Sequence, residues 1–278
     1  MFSWPTNYDS CYTLAGVISK EGIGLHSGEK TKVKISSYEK EGYYVSFRDR
    51  PKEIFKLSQD LIGSTMLCTA VKLGIRNLYT IEHLLSSMAG CGLSYIHIEV
   101  DGKEIPLLDG SAIHWVREFE EVGIKKAPKP DNFFRGINKS IILNKEDSVI
   151  AATPSEKTTI ISTISFPYKA IGIQSFEIDL NPRSFVEMIA PARTFGFKDQ
   201  FQELSELGLI KGGSLENALV CDGDNWVNPP LRFDNEPIRH KILDLIGDLA
   251  LVGLPKAQIL VYKGSHSLNA LLASSLKN

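Results

Sequence analysis

The sequence predicts an α+β protein that contains a duplicated unit, and three observations lead to this fold class. Strand-like alternation and helical periodicity occur in both halves of the chain. Residues 125–132 are rich in proline and charge, as interdomain linkers tend to be. The halves also share a spacing, because His83 precedes Gly90 by seven residues and His240 precedes Gly247 by seven. A duplication explains this spacing, and coincidence is the alternative.

The first half combines short strands with two helices. Apolar residues at helical spacing indicate a helix over 80–89, which ends at the glycines that follow. A second helix is expected at 111–122, and residues 22–28 form a glycine-rich loop. Strands are expected at 11–18, 31–36, 43–47 and 94–100.

Beyond the linker the same types of element recur. Helices are expected at 197–207 and 236–251, and strands at 139–143, 149–153, 158–164, 175–180 and 258–262. We therefore expect two α+β domains, residues 1–126 and residues 133–278. A functional site where the two copies face each other agrees with the duplication.

Composition excludes several classes of protein. The 278 residues are 43% hydrophobic and 23% charged, with a net charge of −2, and the basic residues form no stripe that favours nucleic acid. No apolar run approaches the ~20 residues of a membrane-spanning helix. The first five residues begin no signal-peptide pattern, so we expect a cytoplasmic protein. We also expect a monomer.

The four cysteines are far apart in the sequence and form no C-x-x-C pair. Such spacing excludes a thiolate zinc knuckle, and a reducing compartment disfavours disulfides. Any metal must therefore be held by His, Asp or Glu. Nitrogen and oxygen ligands are typical of catalytic zinc sites, whereas structural zinc sites are mostly rich in cysteine.

The segment 239–248 is the most informative part of the chain. Residues four apart on a helix project from one face, so His240, Asp244 and Asp248 form a column while the apolar residues point elsewhere. An imidazole with two carboxylates on one line suits a metal site. The alternative is a partly exposed His/Asp column that binds nothing.

Two further histidines have functional contexts. Glu82 and His83 are helical neighbours that diverge by about 100°, so a general base can lie beside a metal ligand. His266 follows the last strand in a loop of small residues, a usual place for a catalytic group, although an ordinary polar loop residue is the alternative. His26, in the glycine-rich loop, either contacts a ligand or caps a turn. We interpret His97 and His114 as surface or boundary residues.

Six motifs and the 22–28 loop follow one another along the chain in a characteristic order. Together they resemble the UDP-3-O-acyl-N-acetylglucosamine deacetylase family, the zinc amidases of lipid A biosynthesis, from about residue 12 to residue 272. The motifs are 80–84 (TIEHL), 104–111 (EIPLLDGS), 192–197 (ARTFGF), 231–233 (LRF), 239–248 (RHKILDLIGD) and the loop around His266.

The resemblance implies a fold, a reaction and a set of residue roles. The fold is two similar α+β domains whose helices are sandwiched between two sheets, with zinc at the junction. The reaction is hydrolysis of the 2-acetamido group of an acylated UDP-sugar, with ferrous iron as a possible substitute for zinc. The implied metal ligands are His83, His240 and Asp244. The implied catalytic residues are Glu82 as base, His266 as acid, Asp248 as its partner and Thr194 as the hydroxyl on the oxyanion side.

The resemblance also implies how the substrate is held. Lys241 is the implied substrate-binding lysine. An insert near 195–221 forms the implied passage for the acyl chain, and the residues that we assign to it are Phe195, Phe197, Ile210, Ala218 and Val220. An ordinary helix and strand that bury core is the alternative for each of these.

Two departures from the family pattern are visible. Asn235 stands where the family commonly has an acid, and Gly264-Ser265 reverses the usual order of small residues before the histidine. Neither position is an implied ligand. Two rival functions remain: a zinc hydrolase of another amide, and a non-catalytic sugar-nucleotide binding protein. The presence of both Glu82 and His266 argues against the second.

Overall fold

The computed structural model describes residues 2–128 and 136–277. The first half of the chain contains β1 (Tyr12–Leu14), β2 (Ile18–Ile23), β3 (Lys30–Ser37), β4 (Gly42–Phe47), β5 (Arg50–Lys56), β6 (Ile62–Ser64), β7 (Ala70–Leu73), β8 (Arg76–Leu78), α1 (Glu82–Gly90), β9 (Tyr95–Asp101), α2 (Ile113–Val122) and β10 (Ile124–Lys126). The second half contains β11 (Ile141–Lys145), β12 (Ser148–Pro154), β13 (Thr159–Ser165), β14 (Ile173–Asp179), α3 (Pro182–Met188), β15 (Phe195–Phe197), α4 (Phe201–Glu206), β16 (Leu219–Asp222), β17 (Asn225–Trp226), α5 (Glu236–Leu249), β18 (Ala257–Tyr262) and α6 (His266–Leu276).

Each half contains a five-stranded sheet, and the two sheets have the same topology. The strand orders are β2-β3-β9-β4-β5 and β11-β12-β18-β13-β14. In each sheet one pair is parallel, β4 with β9 and β13 with β18, and the other pairs are antiparallel. One helix precedes the central strand and another follows it, α1 and α2 in the first half and α5 and α6 in the second. The predicted α+β fold of two similar units is confirmed, and α1 and α5 are equivalent helices.

The equivalent helices lie between the two sheets. Alternation along the strands turns one face of each sheet inward, as Val33 and Ile35 on β3 and Ile259 and Val261 on β18 illustrate. These inward faces join a single apolar core with α1 and α5. All nine residues of α1 are buried. A helix with no solvated face must be covered on every side, which explains the layered arrangement.

A glycine sets the distance between α1 and α5. A Cβ atom at Gly247 would lie 2.1 Å from the carbonyl oxygen of Glu82, so only glycine permits this approach of the two backbones. Because Glu82 and His83 begin α1, the contact brings the start of that helix against the last turn of α5. Residues from both halves of the chain thereby meet at one point.

Several sequence-based boundaries are wrong. The strand expected at 11–18 is interrupted, because β1 ends at Leu14 and β2 starts at Ile18. β2 runs through Gly22, so only the second part of the 22–28 segment is a loop. The helix expected at 197–207 is shorter, since Phe195–Phe197 is a strand paired in parallel with β16 and the α-helix covers only Phe201–Glu206. The sequence analysis did not find α3, α6, β5 to β8, β10, β16 or β17.

The linker prediction falls partly outside the described residues, at 129–132. Lys125 and Lys126 belong to β10, which pairs with β1 of the first half, so the linker does not begin at 125. The proposed division into 1–126 and 133–278 stays a prediction. Within the described parts of the chain, no helix is long and apolar enough to span a lipid bilayer.

Candidate metal centre

Three predicted ligands come together at the contact between α1 and α5. One ligand atom each from His83, His240 and Asp244 lies within 4.8 Å of the others. Asp244 Oδ1 is 3.6 Å from His83 Nε2 and 3.3 Å from His240 Nε2. All three side chains are buried, at 5%, 2% and 3% exposure respectively. Among the described residues no other group of His, Cys, Asp and Glu meets the same geometry.

The donor atoms fit a divalent cation. Nδ1 of His240 lies 3.1 Å from the carbonyl oxygen of Ala192, which can only accept, so Nδ1 carries the proton and Nε2 presents its lone pair to the cluster. Burial lowers the pKa of His83, which favours the neutral imidazole that binds metals. Asp244 Oδ1 is buried and accepts no hydrogen bond, and a buried carboxylate oxygen without a donor is costly unless a cation faces it.

Lys241 binds the other oxygen of Asp244. Its Nζ donates to Oδ2 at 2.8 Å. Burial raises the pKa of Asp244, but Lys241 and His240 outweigh burial and hold that pKa well below its usual range. The carboxylate is therefore ionised, as a metal ligand must be.

Glu82 lies beside the cluster as a buried carboxyl group. It is 2% exposed, and its Oε2 accepts a hydrogen bond from the backbone N–H of Thr69 at 3.0 Å. Burial raises the pKa of Glu82 to about 8, opposed by His266 and reinforced by the charges of Asp244 and Asp248. A carboxyl group with a pKa near neutrality is suited to general-base chemistry.

His266 and Asp248 form a hydrogen-bonded pair that also adjoins the cluster. Nδ1 of His266 lies 2.9 Å from Asp248 Oδ2, and Asn269 Nδ2 donates to the same oxygen at 2.9 Å. Burial alone lowers the pKa of His266, but Asp248 and Asp244 outweigh it and raise that pKa to about 9. The ring therefore carries two protons at neutral pH and directs Nε2 towards Asp244, whose Oδ2 is 3.9 Å away.

The expected loop around His266 is wrong. His266 is the first residue of α6, and Ser265 is its N-cap, with its hydroxyl accepting from the N–H of Leu268 at 3.3 Å. Gly264 and Ser265, which reverse the usual family order, therefore lead into a helix. A helix start fixes the imidazole more firmly than a loop would.

The exposed-column interpretation of α5 is also wrong. His240, Asp244 and Asp248 are all at most 3% exposed. The two carboxylates serve different partners, since Asp244 faces the histidine cluster and Asp248 binds His266. A buried column of this kind is stable only when each charge has a partner.

An apolar pocket adjoins the cluster. Its volume is about 400 Å³, and Thr194 lies on its wall. The ring of Phe195 connects the pocket with the cluster, because its centroid is 6.4 Å from that of His240. Leu209 and Leu219, which lie in the same insert on either side of Gly212 and Gly213, are not on the wall. All five residues that we assigned to the acyl passage line the pocket: Phe195, Phe197, Ile210, Ala218 and Val220.

The first half of the chain also lines the pocket, with Leu25, His26 and Leu67. His26 does not cap a turn with its ring. Its backbone N–H donates to Glu104 Oε1 at 2.9 Å, and both ring nitrogens are buried without a hydrogen-bond partner. Burial lowers the pKa of His26, so its ring is neutral. The sequence left two alternatives for His26, contact with a ligand or capping of a turn. The geometry favours contact with a molecule bound in the pocket.

A second network joins the two halves beside Thr194. Arg232 Nη2 donates to Asp109 Oδ2 at 2.6 Å, and Arg193 Nε donates to the fully buried Glu236 at 2.9 Å. The N–H of Thr194 donates to Gly110 O at 2.8 Å. Through these contacts the 104–111, 192–197 and 231–233 motifs, which are far apart in the sequence, are neighbours in space.

Sequence reasoning missed several polar residues around the site, including Thr69 and Asn269. Neither belongs to a motif, and a single threonine or asparagine carries no signal without its partner. His97 and His114 are outside the cluster. His97 is half-buried and bonds Ser46 at 2.9 Å, which agrees with a boundary position.

Two imidazoles and one carboxylate, flanked by a buried acid and a charged imidazole, are typical of metal-dependent hydrolases. The fold and site therefore define a protein of that class. Residues 12–278 match the family model described as LpxC: UDP-3-O-acyl N-acetylglycosamine deacetylase. The chain belongs to this family, and the resemblance seen in the sequence is confirmed.

Curated relatives are similar in sequence to this protein over nearly the whole chain. A UDP-3-O-acyl-N-acetylglucosamine deacetylase of Trichormus variabilis is 44% identical over 272 residues, 95% of this chain and 97% of the relative. A protein of the same name from Synechocystis sp. is 40% identical, over 95% of this chain and 98% of the relative. A protein of Arabidopsis thaliana named probable UDP-3-O-acyl-N-acetylglucosamine deacetylase 1, mitochondrial, is 39% identical, over 95% and 87% respectively.

Proposed function

We propose that this protein hydrolyses the 2-acetamido group of UDP-3-O-acyl-N-acetylglucosamine and releases acetate and the free amine, an early step of lipid A biosynthesis. The observation that carries the proposal is the cluster of His83, His240 and Asp244, which has Glu82 and His266 as ionisable neighbours and is connected through the ring of Phe195 to an apolar pocket. An amide hydrolase with an acylated substrate needs each of these parts.

The proposed metal is zinc, held by His83, His240 and Asp244. Ferrous iron is the alternative, because nitrogen and oxygen ligands accept both ions. When bound, zinc lowers the pKa of a water molecule from ~16 to roughly 7 and polarises a carbonyl group. Lys241 keeps Asp244 ionised and is also the proposed contact for the substrate.

Glu82 is the proposed general base. It takes a proton from the water that attacks the acetyl carbonyl, and burial holds its pKa high enough to retain that proton. Thr194, at the pocket wall, is the proposed hydroxyl donor to the oxygen that becomes negatively charged during the attack.

His266 is the proposed general acid. Its pKa of about 9 keeps the imidazolium charged at neutral pH, and Asp248 orients the ring. The proton passes to the amine nitrogen as the C–N bond breaks, since an unprotonated amine is a very poor leaving group. Base and acid therefore act on opposite ends of one amide bond.

The pocket beside the cluster is the proposed site of the 3-O-acyl chain. Aromatic and aliphatic side chains form most of its wall, and Phe195 stands between that wall and His240. Burying methylene groups there stabilises the complex by about 0.8 kcal/mol per CH₂. The acyl chain thus positions the acetamido group near the metal ligands.

Acetate release tests the proposal. Purified, zinc-loaded protein is incubated with UDP-3-O-acyl-N-acetylglucosamine and, in parallel, with UDP-N-acetylglucosamine, and acetate and free amine are quantified. We expect release from the acylated substrate and at least tenfold lower kcat/KM without the acyl chain. Equal turnover of both substrates favours a hydrolase of another amide. Binding without acetate release favours a non-catalytic sugar-nucleotide binding protein.

The compartment and the oligomeric state stay predictions. All four cysteines are buried thiols outside any disulfide, which agrees with the reducing cytoplasm that the sequence predicts, whereas the relatives from Arabidopsis thaliana carry mitochondrial names. Sedimentation of the purified protein tests the predicted monomer.

A further inference from the structure

Thr69 occupies the junction between the two halves of the site. It lies between β6 and β7, and it is 1% exposed. Its backbone carbonyl accepts from the N–H of Ile81 at 3.3 Å, which ties it to the residue before α1. A buried threonine hydroxyl must find a partner, because an unsatisfied one costs free energy.

The polar groups of Thr69 bind the proposed base and the carboxylate that orients the proposed acid. The backbone N–H donates to Glu82 Oε2 at 3.0 Å, and the hydroxyl donates to Asp248 Oδ1 at 2.5 Å. The same hydroxyl oxygen is 3.3 Å from Nδ1 of His266. Among the described residues, Thr69 alone forms hydrogen bonds to both Glu82 and Asp248.

These two carboxylates belong to different halves of the chain. Glu82 begins α1, whereas Asp248 is on α5 and His266 begins α6. The hydroxyl bond from Thr69 to Asp248 spans 179 residues of sequence. The relative position of base and acid therefore depends on a bond that crosses from one half to the other.

The hydroxyl also fixes the rotation of the Asp248 carboxylate. Oδ2 accepts from Asn269 Nδ2 at 2.9 Å and faces His266 Nδ1, and Oδ1 accepts from Thr69. Without the hydroxyl, Oδ1 is left buried with no donor, and rotation of the carboxylate relieves this cost. Such a rotation tilts the imidazole of His266, and small misplacements of a catalytic group are costly to rate.

We propose that Thr69 is a positioning residue, which sets the geometry of the Glu82 base relative to the His266–Asp248 pair. The inference rests on the proposed function, since it assigns these groups to one reaction. Thr69 makes no bond to the predicted metal ligands, so its hydroxyl governs the chemical step rather than the metal content. The backbone N–H of Thr69 holds the base, Glu82, and its hydroxyl holds Asp248, which orients the acid.

The test compares Thr69→Val with Thr69→Ser in the zinc-loaded enzyme. Valine has nearly the same shape and keeps the N–H bond to Glu82 but lacks the hydroxyl, and serine restores the hydroxyl. We expect kcat on the acylated substrate to fall about ten- to a hundredfold in Thr69→Val, as expected for impaired acid catalysis. KM should change less than about twofold, and Thr69→Ser should recover to within about threefold of the original kcat.

The possible results for the Thr69 variants can be told apart. Unchanged kcat in Thr69→Val overturns the inference, and so does a loss in Thr69→Ser as large as that in Thr69→Val. Metal content and thermal unfolding are measured on every variant, with Thr69→Ala as a second variant that cannot clash. A loss of zinc, or a failure of both apolar variants to fold, assigns Thr69 a structural role and also overturns the inference. Absence of acetate release by the unmodified protein overturns the proposed function instead.

Discussion

Gly247 contacts the backbone of Glu82 so closely that a Cβ atom at 247 would lie 2.1 Å from the Glu82 carbonyl oxygen. This approach brings α1 and α5 together, and with them the predicted ligands of the two halves. The site is therefore assembled by a helix contact between two similar units. Its geometry depends on residues such as Gly247, which have no reactive side chain.

The first prediction concerns that contact. Gly247→Ala should destabilise the fold by about 3 kcal/mol or more, because the added methyl group meets backbone that cannot change rotamer. Zinc affinity should fall at least tenfold as His83 moves away from His240. Chemical denaturation and zinc titration measure the two effects.

Gly63→Ala is the matched control. A Cβ at that position has its nearest neighbour at 3.9 Å, so stability should change by less than about 0.5 kcal/mol. Full zinc affinity in Gly247→Ala would contradict the assembly of the site by this contact.

The second prediction concerns proton transfer. Glu82→Ala and His266→Ala should each lower kcat by ~10²- to 10⁴-fold while zinc remains bound, since each removes one proton-transfer group. Steady-state kinetics and metal analysis check this result. His97→Ala, an imidazole outside the site, should stay within twofold of the original kcat. Near-normal turnover of either site variant with zinc bound argues against its assigned role.

The third prediction concerns the acyl chain. Ala218→Phe narrows the pocket, so KM for a long-chain substrate should rise about tenfold, which corresponds to about 1.4 kcal/mol of lost binding. A short-chain substrate should be affected less. Ile142→Phe, at a site 73% exposed on the outer face of the second sheet, should leave both KM values unchanged. An equal rise in KM for long and short chains would count against an acyl passage here.

The fourth prediction concerns the ion pair between the halves. Burial raises the pKa of Asp109, but hydrogen bonds from Ser111 and Arg232 outweigh it and lower that pKa below its usual value. A carboxyl group with a lowered folded-state pKa stabilises the protein above its unfolded-state pKa of about 3.9, and this contribution is lost as pH falls through the folded-state value.

Asp109→Asn should therefore cost no more than about 1 kcal/mol above pH 5, because Arg232 is 35% exposed and solvent screens the pair. The difference in unfolding free energy from the original protein should shrink below pH 4. Urea denaturation at several pH values measures it. Asp101→Asn, whose partner Arg48 is well exposed, is the control and should change the free energy of unfolding by less than about 0.5 kcal/mol at neutral pH. A difference that grows on acidification contradicts the assigned sign.

The features that the sequence predicted correctly are those with a local sequence pattern. The helix expected at 236–251 is observed at Glu236–Leu249, because its apolar spacing is a local signal. The shared seven-residue spacing, from His83 to Gly90 and from His240 to Gly247, predicted two similar units. The structure explains this spacing, because the two pairs lie on the equivalent helices α1 and α5. The site residues named from the motifs include the three that form the buried cluster.

Long-range contacts explain what the sequence did not predict. Phe195–Phe197 is a strand because it pairs with β16, and nothing within that segment indicates its partner. The small residues before His266 were interpreted as a loop, yet Ser265 caps a helix. Thr69 acts on Asp248 across 179 residues, so only the folded chain reveals their relationship.

Anomalous diffraction at the zinc edge, on crystals of the zinc-loaded protein, tests the central claim most directly. We predict one strong peak about 2.0–2.2 Å from His83 Nε2, His240 Nε2 and a carboxylate oxygen of Asp244. A peak at another place, or no peak in fully loaded protein, would contradict the account.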